Sequence, residues 1–494
     1  MPFDLEDFEE RAEKWKPCGY EEKIERRLRF LDGDIRDDVK AELRRQYPET
    51  YDGMVPAARN LVPMIVAEKA KAFEGSTWRL RVRGGEDLAD DDPRQRLLVR
   101  LWTKAGMQLL LEQVDIYTEA LGTVFLVFGW DARRRVLTAS IWLPHKVDLV
   151  ADPDSPADLD LAAGVLLELC HADGARGGSE AKERHAFWSA RPGFEAHFLL
   201  VGDDIYPPGP DNPKMLNPYR GMEEPGMPPA ALVPIVAFSL ASRDRGLFLL
   251  KDEDLYCETL GICASATDID EIGRHQGFGE LYIKPSPNKG GDERVEGGGT
   301  RARGPSVAQV LAPGEDVELL SPSPAIDALR QVLQDRIKHV AIVRGLPASS
   351  VLADSRTVAA AESLQIERIP LNEYRKKSIA RQVPSIERLW YVMRTVWNTH
   401  AAPLGLTTFD DDLELVWTPG DLTYRSNNGT PQAAPSWLTV NEWRARQGVG
   451  PLRLPDGSLD PRGDLLPSDV EAMRGAAPSA DTTPQDPQQA GGAP

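Results

Sequence analysis

The stretch KDEDLYCETLGICASATDIDEIGRHQ, residues 251–276, predicts one long α-helix. Its apolar residues recur at helical spacing, and they are Leu255, Leu260, Ile262, Ile269 and Ile272. Because a helix rises 1.5 Å per residue, about 25 residues would extend for close to ~40 Å. The predicted helix is therefore long enough to span a small domain.

Residues 277–324 form an excursion between this helix and a second one. The excursion starts with the strand-like GFGELYIK (277–284), continues through a glycine-rich loop and then contains further strand-like runs. A helix is predicted at residues 325–343, with six apolar residues expected on one face: Ile326, Leu329, Val332, Leu333, Ile337 and Val340. The pattern is thus a helix, a small strand-containing unit and a returning helix.

A polar connection and a third helix follow in VRGLPASSVLADSRTVAAAESLQ, residues 343–365. Gly345 and Pro347 are stop signals for the second helix. Asp354 or Ser355 is a suitable amino-terminal cap for a helix that we expect to run from about Arg356 to Asn398. We expect kinks in it at Pro370 and Pro384. Such a helix is unusual in an enzyme core and more natural in a protein that spans a large assembly.

The first half of the chain combines helices with strands. EEKIERRLRFLDGD (21–34) predicts an amphipathic helix with Ile24, Leu28 and Leu31 on one face. ARNLVPMIVAEKAKAF (58–73) predicts another, whose expected buried stripe is Leu61, Met64, Ile65, Ala72 and Phe73. One further helix is expected at residues 96–121.

Strand-like runs follow that helix and define the fold class. Residues 124–130 and 136–143 predict a hairpin, and further strands are expected at residues 164–170, 185–190, 195–201 and 233–239. DDLELVWTPGD (411–421) predicts a later strand, residues 436–452 a short helix, and the Pro- and Ala-rich residues after 467 a disordered tail. We therefore predict an α+β fold with a mainly antiparallel sheet.

The composition limits the classes of function. Acidic residues outnumber basic ones, 77 to 58, which disfavours a general electrostatic grip on nucleic acid. An acidic chain can still contact DNA through a local basic loop, or line a passage to which DNA must not adhere. No apolar run approaches the roughly 20 residues that cross a bilayer, so no membrane contact is predicted.

The four cysteines have no metal-binding or redox spacing. Cys18, Cys170, Cys257 and Cys263 contain no CxxC pair, and the amino terminus lacks the order of a signal peptide. We expect packing cysteines in a reduced, intracellular protein.

The sequence motifs of common enzymes are missing. There is no GxxxxGK[ST], no GxGxxG after a strand, no HExxH and no GxSxG. The acidic runs LADDDP and TFDDDLEL are more typical of solvated turns than of metal sites, and His171 beside Cys170 would point to the opposite face of a strand. No catalytic residue, cofactor site or metal site is therefore predicted.

Basic residues cluster in one loop of the excursion. Between residues 284 and 303 they are Lys284, Lys289, Arg294, Arg301 and Arg303. A solvated flexible loop accounts for this composition. A contact with a phosphate backbone or an acidic partner accounts for it equally well.

These elements together resemble the portal proteins of tailed double-stranded DNA bacteriophages. TEALGTVFLVFGWDARRRVLTASIWLPHKVDLVADPD (118–154) is similar to the helix-then-hairpin passage of that family, and NPYRGMEEPGMPPAALVPIVAFS (217–239) to its approach to a P-I-V-x-F strand. Residues 251–398 match the family order of stem helix, clip, stem helix, tunnel loop and long kinked helix. The resemblance covers roughly residues 25–450 and concerns element order and loose patterns; the short acidic tail after Asp460 departs from a large crown.

The resemblance implies a domain order along the chain. It comprises an N-terminal wing region 1–250, a first stem helix 251–276, a clip 277–323, a second stem helix 324–343, a tunnel loop 344–356, a long kinked helix with wing strands 357–430, a C-terminal crown-like region 431–466 and a disordered tail 467–494. The tunnel loop of the family faces DNA, which here assigns Ser349, Ser350, Asp354 and Arg356 to the channel. A plain connection between helices explains the same four residues.

The resemblance also implies partners. It implies a homo-oligomeric ring of twelve copies, as in the family's assembled virion, at one capsid vertex, assembled in the host cytoplasm, through which double-stranded DNA passes. The clip would meet the large terminase and later a head-completion adaptor, while the wing would meet major capsid and scaffolding proteins. Two alternatives stay open: a cytosolic α+β enzyme of unknown class, and another virion structural protein such as a minor capsid or connector component.

Overall fold

The computed structural model describes residues 3–48, 54–169, 184–202, 204–208, 214–220, 231–240, 246–276, 280–284, 316–320, 326–347 and 368–420. All of them belong to one unit, Met1–Thr423, whereas Tyr424–Pro494 lies outside the described residues. The short helix predicted at 436–452, the tail and Cys170 with His171 therefore stay predictions.

Four helices open the chain: α1 (Leu5–Glu13), α2 (Tyr20–Asp32), α3 (Arg36–Gln46) and α4 (Val62–Lys69). The side chain of Asp4 caps α1 by accepting from the Asp7 amide, and Gly33, at φ +85°, ends α2. α4 is shorter than predicted, and Ala72 and Phe73 are buried beyond its end. In α2, Ile24 is buried, whereas Leu28 and Leu31 are half-buried.

The helix predicted at residues 96–121 is two helices. α5 (Pro93–Ala105) and α6 (Met107–Leu121) meet at Gly106, which has φ +64°. A glycine in this left-handed conformation ends one helix and lets the chain start another in a new direction. The prediction of one continuous helix was wrong because both helices have apolar residues at helical spacing.

Two antiparallel sheets contain the six strands predicted between residues 124 and 239, together with two strands, at residues 147–150 and 204–206, that were not predicted. The first has the order β3 (Val136–Trp142), β2 (Thr123–Asp131), β9 (Ile235–Ser239). The second has the order β4 (Val147–Val150), β5 (Gly164–Leu169), β6 (Arg184–Ser189), β7 (Ala196–Val201), β8 (Asp204–Tyr206). The fold is α+β, as predicted.

A further strand pair joins the strand predicted at residues 411–421 to a strand that was not predicted. β1 (Thr77–Val82) pairs antiparallel with β12 (Leu413–Thr418), with Leu80 opposite Leu415. The indole of Trp417 donates to Ser76 Oγ over 3.0 Å and strengthens this closure. The pair therefore brings residues near position 80 together with residues near the carboxyl-terminal end of the described chain.

The two predicted helices of the central region are present. α7 (Glu253–Gln276) and α8 (Ile326–Val343) are separated by residues that include β10 (Glu280–Lys284) and β11 (Asp316–Leu320), which pair antiparallel. The predicted apolar face of α8 was only partly right. Leu333, Ile337 and Val340 are buried, but Leu329 and Val332 are 39% and 65% exposed.

The long helix near the end, α9 (Ile369–Ala401), differs from the prediction at one proline. Pro370 lies in the first turn of α9 and does not kink it, because first-turn amides need no partner within the helix. Pro384 lies inside the helix, as predicted. The expected start near Arg356 lies outside the described residues.

α9 packs against the three-stranded sheet. Its Arg388 guanidinium contacts the Asp160 carboxylate at 2.7 and 3.0 Å, and the Ser385 hydroxyl donates to Ala237 O over 2.9 Å. The Trp390 indole donates to Leu413 O over 2.8 Å. The helix is thereby fixed to both β9 and β12.

Two of the cysteines are not packing residues. Cys18 and Cys257 are exposed free thiols, and only Cys263 of the three described cysteines is buried. The packing prediction was therefore wrong for Cys18 and Cys257. Among the described residues, no helix is long and apolar enough to cross a membrane.

Candidate functional site

Most of the residues assigned to function from sequence lie outside the described residues. This holds for Ser349, Ser350, Asp354 and Arg356 of the tunnel loop and for Lys289, Arg294, Arg301 and Arg303 of the clip loop. Lys284 ends β10 and lies opposite Asp316 in the register of the two-stranded sheet. The described part of the candidate site is therefore the helix pair α7 and α8, with the elements that hold it.

α7 and α8 pack antiparallel. The Arg336 guanidinium donates to Gly261 O at 3.3 Å and to Ser265 Oγ at 3.4 Å, while Arg344 at the end of α8 reaches Asp252 just before α7. A Cβ on Gly261 would lie 2.4 Å from Arg336 Nη2. The glycine lets the arginine lie across the helix surface.

The amino-terminal region covers the other side of α7. Tyr47 Oη donates to Asp268 Oδ2 at 3.0 Å, and the Ala57 amide donates to Thr267 Oγ1 at 3.0 Å. The rings of Phe30 and Tyr256 pack edge to face, 5.3 Å apart. The amino-terminal region thus holds α7 between Tyr256 and Asp268.

A buried arginine that the sequence analysis missed anchors the start of α7. Arg27, 2% exposed, donates to Glu253 Oε2 at 2.8 Å and to Ala120 O at 3.3 Å, and its guanidinium lies 4.9 Å from the centre of the Tyr256 ring. Arg27 lies three residues after Ile24, so helical spacing places it on the buried face. Its charged neighbours in EEKIERRLRF give no local signal of burial.

A charged junction lies where α7 begins and α8 ends. Lys69 Nζ of α4 lies 3.3 Å from Glu119 Oε1 of α6 and 3.8 Å from Asp252 Oδ2. Tyr374 of α9 donates its hydroxyl to Glu119 at 2.6 and 2.8 Å. Arg344 Nη1 lies 2.6 Å from Asp252 Oδ1. Five elements of the chain therefore meet through polar side chains.

Burial shifts the pKa of groups in and beside this junction. Burial, with the negative charge of Glu119 as a second cause, raises the pKa of the Tyr374 hydroxyl. Burial also raises the pKa of Asp115 to about 7; the charge of Glu119 acts in the same direction, and the hydrogen bond from the Ala72 amide opposes it. Burial lowers the pKa of Arg375, the next residue along α9.

The end of α8 lies beside the start of α9. Gly345, at φ +74°, ends α8, and the Leu346 amide returns to Ala341 O at 2.9 Å. A Cβ on Gly345 would lie 3.8 Å from Pro370 Cβ. The end of α8 and the start of α9 are therefore close together in space.

The outer face of α8 exposes four apolar residues. Val332 is 65% exposed, Ile342 62%, Val343 58% and Leu329 39%. Leu329, Val332 and Val343 lie on one stripe of the helix, because their positions are separated by helical steps of three and four residues. Arg336 and His339 lie on the same stripe. A stripe of this kind is typical of a helix that packs against a second partner.

The enzyme alternative needs a pocket with perturbed acids. One cavity of about 530 Å³ is lined by residues that include Asp154, Asp158 and Arg388, and another of about 580 Å³ lies between α3, α7 and α8. Asp115, whose pKa is raised, lines neither of them. Asp115 therefore does not support the enzyme alternative, because it lies in neither cavity.

Comparison with known proteins gives structural likenesses only. No protein-family model and no curated protein matches the chain. A protein in the solved structure "Neck of empty GTA particle computed with C6 symmetry" aligns over 84% of this chain and 94% of its own, with 14% identity and a TM-score of 0.43. A protein in "Virion of native gene transfer agent (GTA) particle" aligns over the same shares, with 13% identity and a TM-score of 0.41.

Proposed function

We propose that this chain is the subunit of a portal ring at one capsid vertex, through which double-stranded DNA is packaged and ejected. The observation that carries the proposal is the exposed apolar face of α8, on a helix whose other face is buried against the rest of the chain. The order of α7, the β10–β11 pair, α8 and α9 supports it, because it is the order expected for stem, clip, stem and long helix.

An apolar outer face fits a subunit that has neighbours. Exposed apolar residues clustered on a helix commonly mark a surface that another protein covers. Burying one Val, Leu or Ile side chain contributes roughly 1.5–3 kcal/mol. Four such residues on α8 would therefore contribute substantially to each subunit contact, and a heterologous contact that closes by rotation produces a ring.

The partners follow from the place of each segment in the proposed ring. The clip, which contains β10 and β11, would bind the large terminase and later a head-completion adaptor, and its loop with Lys289, Arg294, Arg301 and Arg303 is the proposed contact. Ser349, Ser350, Asp354 and Arg356 would face DNA, where small polar groups and net acidity favour sliding over tight phosphate binding. Capsid and scaffolding proteins would bind the wing.

The mechanism proposed is mechanical. The chain lacks a phosphate-binding loop, so the terminase would supply the ATP hydrolysis. The ring would supply a passage and docking surfaces. Another virion connector protein is the second candidate, since the same apolar face would serve a ring without a DNA channel.

Native mass spectrometry with negative-stain images of the purified chain tests the proposal. We expect a mass near twelve subunits and rings with a central hole. A monomer or dimer at every salt concentration would contradict it. A closed ring without a hole wide enough for duplex DNA would favour the connector alternative.

The Val332→Glu variant tests whether the α8 face holds the ring together. Gln334→Glu is the matched control, because it adds the same charge at an exposed position about 200° further around the helix. We expect monomers for Val332→Glu and rings for Gln334→Glu, with equal helix content by circular dichroism. Intact Val332→Glu rings would show that the contact lies elsewhere.

A further inference from the structure

The junction joins two helices through three intermediate side chains. Arg344 at the end of α8 binds Asp252, Asp252 lies near Lys69, Lys69 binds Glu119, and Glu119 accepts from Tyr374 of α9. Each step lies between 2.6 and 3.8 Å. The order of contacts is therefore continuous from α8 to α9.

Burial makes the central link sensitive to the loss of any partner. Lys69 and Glu119 are 6% and 5% exposed at their side chains, and the Lys69 ammonium also lies 4.7 Å from the centre of the Tyr374 ring. Removing one partner of a buried ion pair leaves an uncompensated charge, so the remaining groups must rearrange. A change at Tyr374 would thus be transmitted to Glu119 and Lys69.

Asp252 links this buried pair to α8 through an unusual backbone conformation. It has φ +58°, which is uncommon for a residue with a side chain and persists where surrounding contacts fix it. Its carboxylate lies between Lys69 Nζ and Arg344 Nη1. Losing either cation would release part of the restraint on this residue.

We propose that Tyr374, Glu119, Lys69 and Asp252 form a relay through which α9 sets the position of the carboxyl-terminal end of α8. Tyr374 and Lys69 act as positioning residues, since they act on the end of α8 through Asp252. The relay is a property of one chain and does not depend on ring formation. In a ring it would couple the wing helix to the helix that bears the subunit contact.

Hydrogen exchange of the full chain in Tyr374→Phe tests the relay. The amides of Arg344, Gly345 and Leu346 report on the end of α8, because each donates within that helix end. We expect about tenfold faster exchange at these amides, with no change in β2. Tyr391→Phe makes the same chemical change about 25 Å further along α9 and is expected to leave them unchanged.

Two results would overturn the relay. One is an unchanged exchange rate at residues 344–346 together with faster exchange at the start of α9, which would mean that the substitution affects α9 alone. The other is an equal increase in β2, which would mean general destabilisation. If Tyr374→Phe does not fold, Glu119→Gln tests the same link, because it keeps an acceptor for Tyr374 and removes the charge that faces Lys69; the same two results would overturn the relay there.

Discussion

α7 and α8 carry similar apolar patterns but have different surroundings. Ten residues of α7 are buried, including Leu255, Ile262 and Cys263, whereas only Leu333, Ile337, Val340 and Ala341 of α8 are. Elements from the amino-terminal region cover α7, and α8 packs mainly on α7. Apolar spacing therefore predicts which helix surfaces are covered by protein, but it does not predict whether the same chain or another one covers them.

The largest expected difference between the two helices is in folding stability. Ile262 of α7 is fully buried, so Ile262→Ala should lower the free energy of unfolding by about 3 kcal/mol through lost burial and a cavity. Val343→Ala on the exposed face of α8 should change it by less than about 0.5 kcal/mol in the monomer.

Urea denaturation of both variants in the Val332→Glu background measures this difference without a contribution from assembly. Equal losses for Ile262→Ala and Val343→Ala would mean that the outer face of α8 is covered within the same chain. α7 and α8 would then not differ in how the rest of the chain covers them.

The next effect concerns the acid beside the junction. The pKa of Asp115 is raised to about 7 by burial, above its unfolded value of about 3.8. The protonated form is favoured in the folded chain, so stability is greatest below the unfolded pKa and declines as pH rises from about 4 to 7. We expect this decline to amount to roughly 1 to 3 kcal/mol.

Asp115→Asn should remove that decline, because an amide side chain does not titrate in this pH range. Its oxygen can still accept a hydrogen bond from the Ala72 amide, as the Asp115 carboxyl does. The urea midpoint measured between pH 4 and 8, relative to the parent chain at equal protein concentration, gives the difference. A parallel pH dependence in the two proteins would show that Asp115 is not the group responsible.

The smallest effect is expected at the end of α8. Gly345 has φ +74°, a conformation that a residue with a Cβ adopts at a cost of about 1 kcal/mol. Gly345→Ala should lower the melting temperature by a few degrees at most. Gly273→Ala within α7, where a Cβ would meet open space, is the control and should be neutral or stabilising. A larger fall in melting temperature for Gly273→Ala than for Gly345→Ala would contradict the requirement for glycine at position 345.

Local pattern predicted the elements better than their partners. The β2–β3 hairpin, α7, α8 and the α+β class follow from spacing and turn residues over short windows. The β1–β12 pair does not, because its strands lie more than 300 residues apart and β1 alone is a short, charged run. The break between α5 and α6 at Gly106 was not predicted because apolar residues continue at helical spacing on both sides of it.

Charged residues of the site were the least predictable. The side chains of Arg27, Lys69 and Glu119 are buried because their partners come from distant elements, and charged side chains of this kind are usually exposed. Ser349, Ser350, Asp354 and Arg356 and the clip arginines and lysines remain predictions from the family resemblance. The exposed apolar residues of α8 could be found from sequence, but their exposure could not.

Electron cryomicroscopy of the purified chain shows whether the exposed face of α8 joins neighbouring subunits of a ring. We expect a closed ring of about twelve copies in which Val332, Ile342 and Val343 of each subunit are buried against its neighbour. A closed ring in which these three side chains face solvent would contradict the account of α8, and a chain that forms no ring would contradict the proposed function.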